Sequence, residues 1–328
     1  MSQKILTANE IGVLWTQYME NSMTLPLLDY FEKTLEDDEI HPLLEVAKQT
    51  ANNGVSQCTQ IFKDEHLPVP DGYGKEDLNP NAPKLFTDAF ILNFLEHLGK
   101  VGLTSASLSL GTSASEEVRD FFTNRIERQS TLYNQCVELG MNKGLYVRAP
   151  QVEIQDQIEY VKGKSYLHPF NKRSLNAIEI SHLFENYKTN SIGEVICQGF
   201  AQTGKNKTIK KYMREGKNLS IKHRKLFSSV LDESGIQTPM TSSNFLTMAT
   251  DPVFSDRLMI YLIGVLSSAG HGNYATASSA SLRYDLIFTY QRLSVDIAMY
   301  AKDGMDIMIK NGWFEEPPQA PDRQQLIQ

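Results

Sequence analysis

Leu6-Thr7-Ala8-Asn9-Glu10-Ile11 returns as Leu175-Asn176-Ala177-Ile178-Glu179-Ile180. The match runs on through Leu14 with Leu183, Trp15 with Phe184, Tyr18 with Tyr187, and Asn21-Ser22 with Asn190-Ser191. The shift is constant (179 − 10 = 169). Self-similarity at one fixed period means the chain carries the same structural unit twice, and this sets the architecture before any local reading.

Each copy reads as four helices. In the first helix Ile11, Leu14, Trp15, Tyr18 and Ser22 form a buried stripe, and Ile180, Leu183, Phe184, Tyr187 and Ser191 repeat it. A polar residue or Ala shortly before the shared Glu marks the start, near Thr7 or Asn9. Pro26 is expected to kink or break this helix before Phe31. The second helix is expected from Asp37 or Asp38, with acidic residues in its first turn. Its second-copy stripe runs through Met213, Gly216, His223, Phe227 and Val230. Pro70 and Pro239 then close similar loops.

Thr87 and Ser255 are expected N-caps of the third helices. Phe90 to Leu98 and Leu258 to Leu266 are apolar on nearly every face, as central helices are. The small-residue stretches that follow, 102–115 and 267–281, read as thin helix ends that let neighbours approach. Fourth helices cover about 117–143 and 282–310, and Gly144 and Gly312 are C-cap signals. The pattern is all-α: two tandem four-helix bundles from an internal duplication. The first is expected at 1–150 and the second at 174–320, with a polar linker at 151–173 and a loose tail at 321–328. A short extended piece is expected at 152–161.

With 41% hydrophobic and 22% charged residues, a chain of 328 residues suits about two globular domains. A net charge of −7 argues against binding a nucleic-acid backbone or an anionic membrane. The basic stretch Lys205 to Lys225 reads as a solvated helix face. Cys58, Cys136 and Cys197 are odd in number and form no CxxC pair, so a reducing compartment is expected. Cys58 aligns with Phe227 and reads as apolar filler. The opening stretch has no long apolar core, and no run is long enough to span a bilayer, so a cytoplasmic protein is expected.

Several stretches together resemble the uncharacterised domain-of-unknown-function family 3231 of spore-forming Gram-positive bacteria. They are Glu10-Ile11 with Leu14 to Met19, Leu175 to Phe184, Phe254 to Met259 and Asn311 to Ala320. The resemblance spans both copies and implies tandem ferritin-like four-helix domains in a cytoplasmic protein. It implies no activity, and fold alone is a poor guide to one.

A ferritin-like bundle raises the hypothesis of a carboxylate-bridged metal centre, which needs Glu-x-x-His on two helices. The chain has one such motif, Glu179-Ile180-Ser181-His182, and its twin at Glu10 lacks the His. At about 100° per residue His182 points away from its own stripe. His223 falls on a core stripe, where it needs a hydrogen-bond partner, while its twin is Gly54. Glu179, His182 and His223 are therefore the candidate ligands for a divalent ion, whether iron, manganese or zinc. His97 reads as core, His41 as an exposed helix start, and His271 sits in a small-residue segment. The shared Tyr18/Tyr187 and Asn-Ser pairs read as buried polar anchors.

Matched positions are structural and candidate ligands are unmatched. The favoured expectation is thus a non-catalytic interaction or structural module, with sporulation or stress as its setting and no cofactor. It would have a protein partner, no nucleic acid and no membrane, as a pseudo-two-fold monomer or a homodimer. The alternative is a metal-binding or redox protein with a degenerate site in the second copy.

Overall fold

The computed structural model describes residues 6–153, 157–170, 172–238 and 245–320. Among them are eight α-helices. They are α1 (Ala8–Thr34), α2 (His41–Asp64), α3 (Asp88–Gly111), α4 (Glu116–Asn142), α5 (Ala177–Thr203), α6 (Lys207–Glu233), α7 (Asp256–Ala280) and α8 (Tyr284–Lys310). Outside helices, the described residues carry one isolated antiparallel bridge, Phe86 with Leu246. The chain is all-α and duplicated. Pro239 and the expected tail at 321–328 lie outside the described residues, as do residues 154–156 and 171 of the linker. The rest of the linker has no strand and one short 3₁₀ turn, Lys164–Leu167.

Two compact units form. One holds 6–78, 95–136 and 311–320, and the other holds 79–94 and the described part of 137–310. Compactness thus divides the chain differently from copy boundaries at 150 and 174. Residues 79–94 and 137–150 of the first copy pack in the second unit, and residues 311–320 of the second copy pack in the first.

The second unit shows the helix order plainly. Lys172, just ahead of α5, pairs with Glu233 at the end of α6 at 2.7 Å. The Lys205 amide, just past α5, donates to Asp256 at the start of α7 at 3.3 Å. α8 begins beside the start of α5. So α5 and α8 run the same way, α6 and α7 run against them, and the α6–α7 connection crosses the length of the bundle. In the first unit α1 and α4 likewise start side by side, and α2 returns along α1 with Lys48 bridging Asp29 and Glu32.

The crossover ends of the two copies meet inside the second unit. Thr247 N donates to Leu85 O, and Asn79 N donates to Val253 O, both at 2.8 Å. Shifting either bond by 168 and exchanging the copies gives the other, so this contact has local two-fold symmetry. Phe86 stacks on Phe90 beside it, Phe245 tilts against Phe90, and Gln202 donates to the carbonyls of Thr247 and Ala249.

Local chemistry explains most boundaries. α1 runs unbroken through Pro26 to Thr34, so the expected break does not occur. α2 begins at His41, not at Asp37 or Asp38. Asp37 Oδ1 accepts from Glu39 N in the preceding turn, and Pro42 sits in the first helical positions, where a missing N–H costs nothing. Gly144 and Gly312 both take φ +67° at the ends of α4 and α8, the left-handed cap that favours glycine.

Candidate functional site

The shared glutamates occupy the same structural post in both copies. Glu10 closes a capping box with Thr7 at the start of α1, and Glu179 closes one with Asn176 at the start of α5. Each reaches further. Glu10 Oε1 accepts from the amides of Ala114 and Ser115 at 3.1 and 2.5 Å, just ahead of α4. Glu179 Oε1 accepts from the amides of Leu282 and Arg283, both at 3.1 Å, just ahead of α8. One carboxylate thus satisfies orphan amides at two helix starts, where both positive dipole ends favour it. Glu179 also accepts from both terminal nitrogens of the Arg173 guanidinium, at 2.8 and 2.9 Å. Burial pushes both carboxyls up, but the hydrogen bonds outweigh it and hold each below the ordinary carboxylate value.

The bundle interiors differ at matched positions. Leu14, Cys58, Phe62, Ala106, Val118 and Phe122 in the first unit answer Leu183, Phe227, Leu231, Tyr274, Leu286 and Tyr290 in the second. Small residues on α2 and α3 become aromatic on α6 and α7. Long polar residues on α4 compensate, since Arg125 and Gln129 stand where α8 has Leu293 and Ile297. A Cβ at Gly54 would lie 2.2 Å from Asn21 Nδ2, and one at Gly102 would lie 2.6 Å from the Gln129 amide. The glycines thus make room for neighbouring amides. Desolvation holds the Glu20 carboxyl above its ordinary value, and Arg125 opposes that rise.

His223 fills the place of Gly54. It is 1% exposed, with Nδ1 3.0 Å from the Tyr274 hydroxyl and Nε2 3.4 Å from Asp296 Oδ2. Asp296 can only accept, so Nε2 carries the proton and Nδ1 accepts from Tyr274, an assignment made by the network. Tyr274 oxygen accepts in turn from Asn190 Nδ2 at 2.8 Å. Lys222 pairs with Asp296 at 2.6 Å. Burial lowers the His223 pKa to about 4 although Asp296 pulls it up, so the imidazole is neutral near pH 7.

The three ligand candidates take different roles. Glu179 is the double cap, His223 sits in the α6 network, and half-buried His182 lies in the first turns of α5, its carbonyl accepting from Asn186. Among the described residues no group of three or more His, Cys, Asp or Glu is placed to hold a metal ion. Nor is any helix there long and apolar enough to cross a membrane. The three cysteines are buried and free, and burial pushes their thiols up to about 12. Asn21 and Ser22 are buried, and Ser22 Oγ accepts from Tyr73 N. His97 is buried and His271 exposed. Lys207, Lys211, Arg214, Lys222 and Lys225 point to solvent.

One feature escaped the sequence reading. The outer face of α8 exposes Phe288, Val295, Met299 and Ile309 at 62, 61, 57 and 63%. Aligning α8 with α4 would have found it, because the matched residues Asp120, Glu127 and Thr131 are polar.

These are two four-helix units built from tandem copies with one shared capping device. The chain belongs to the family described as "Protein of unknown function (DUF3231)", which matches residues 1–158 and again 168–326. A solved structure from Bacillus halodurans, described as a "putative spore coat protein", is similar at 19% identity and a TM-score of 0.42. It covers 46% of this chain and 98% of its own. No curated protein matches.

Proposed function

We propose that the protein is a non-catalytic interaction or structural module, working in the cytoplasm of a spore-forming bacterium. The observation that carries this is the fate of the shared carboxylates. Glu10 and Glu179 are the acidic positions the two copies keep on their first helices, and both oxygens of each already hold helix starts together. In an ion-binding bundle those carboxylates would have to face an ion. The helix order, with parallel outer helices and a crossover between the middle pair, is read as ferritin-like. On this reading the duplication preserved the frame and left the interior to vary.

The rival is a metal or redox centre using Glu179, His182 or His223. Both are tested by elemental analysis of protein purified without a histidine tag. The expected result is less than stoichiometric iron, manganese and zinc, with melting unchanged in chelator. Stoichiometric metal, lost in His223→Ala, overturns the proposal.

A further inference from the structure

α4 and α8 are the same helix of the two copies, and their outer faces differ in kind. On α4 the face carries Glu116, Asp120, Glu127 and Thr131, all exposed. On α8 the matched residues are Tyr284, Phe288, Val295 and Met299, with Ile309 continuing the line. At roughly 100° per residue, Phe288, Val295 and Met299 fall within about 40° of one another. The ridge from Tyr284 to Ile309 is roughly 37 Å long at 1.5 Å per residue. It is interrupted by the ion pair of Lys302 with Asp306. Single exposed apolar residues are ordinary, but Tyr284, Phe288, Val295 and Met299 aligned along one helix face mark a contact surface.

The charges beside the ridge indicate its occupant. Asp285, Arg292, Asp303 and Lys310 all lie on one flank, roughly 40–60° from Phe288. When two such helices pack antiparallel about a two-fold axis, each flank meets its own counterpart. An axis between Ile297 and Ala298 sets Arg292 opposite Asp303 and Asp285 opposite Lys310, each pair occurring twice. On the other flank Gln291, Ala298 and Met305 are uncharged, and Lys302, already paired with Asp306, falls opposite Leu293 under the same axis, so no like charges meet there. We infer that two copies of this chain join through their α8 outer faces, antiparallel, with Val295 and Met299 at the centre. This rests on the interaction-module reading and names the partner.

Sedimentation equilibrium of the full chain at micromolar concentration tests it. A dimer is expected. V295E with M299E should give a monomer that keeps the parent's helical circular dichroism and still melts cooperatively, at a temperature independent of protein concentration. R292D alone and D303R alone should each weaken association about tenfold, and the two together should restore it. A monomeric parent overturns the inference, as does a double reversal that fails to recover what the single ones lost. Metal content is independent of these outcomes. A metal-free monomer removes only this inference, and a metal-loaded dimer removes only the proposed function.

Discussion

The two bundle interiors solve one packing problem in opposite ways. In the second, His223, Phe227 and Tyr274 enter from α6 and α7, and α8 answers with Tyr290 and the uncharged Leu293 and Ile297. In the first, Gly54, Cys58 and Ala106 leave that space, and Asn21, Arg125 and Gln129 fill it from α1 and α4. The frame around both is the same pair of capping glutamates. The difference teaches that helix-end chemistry fixes the fold here, while the centre tolerates different sets of side chains that fill the volume, even where Asn21 Nδ2, Arg125 Nε and Gln129 Oε1 are buried without a hydrogen-bond partner among the described residues.

The largest effect should come from the frame. Glu179→Ala strands Arg173 and several amides, and should cost about 3–5 kcal/mol. Glu10→Ala loses mainly amide partners and should cost about 2 kcal/mol. Denaturant unfolding of the two variants checks the order, and equal costs would break the asymmetry assigned to Arg173.

Exchanging the centres comes next. His223→Gly should cost about 3 kcal/mol by opening a cavity, placing a glycine inside α6 and leaving the buried Tyr274 hydroxyl without its acceptor, while Asp296 keeps Lys222. Gly54→His should cost about 2 kcal/mol by overpacking against Asn21. If calorimetry finds Gly54→His neutral, the first interior is looser than its glycine contacts imply.

Acid sharpens the same contrast. His223 has a folded pKa of about 4 against 6.5, so below 6.5 the unfolded chain binds the proton more readily. Stability is therefore fully present above 6.5 and is lost as pH falls toward about 4, by at most roughly 3 kcal/mol. The groups around the ring are Tyr274, Asp296, Lys222 and Arg292, and the lowered carboxyl of Asp296 adds a loss in the same direction at lower pH. A pH series of unfolding free energies should show this slope, and His223→Gln should flatten it.

The smallest effect belongs to Glu20 and Arg125. A double-mutant cycle with Glu20→Gln and Arg125→Met should return a coupling of about 1 kcal/mol, with no counterpart at Thr189 and Leu293.

The repeat, the helix count and the buried stripes were legible because they are periodic and local. Glu10 and Glu179 stood out as shared residues at helix starts. Their second partners, over a hundred residues away, leave no local signal. His223 was legible as a core residue in need of a partner, whereas Tyr274 and Asp296 come from other helices and could not be paired with it in advance. The start of α2 was misplaced because acidic residues that suit a first turn also suit the turn before it, and Pro42 decided between them. The α8 ridge was written in the chain but emerges only when the copies are compared residue by residue.

The most direct test of the double cap is hydrogen exchange of Glu179→Ala against the parent. Faster exchange is predicted at the first amides of α5 and, together with them, at Leu282 and Arg283 ahead of α8, while the middle of α7 keeps its protection. Loss of protection at α5 alone would contradict a carboxylate that holds two helix starts.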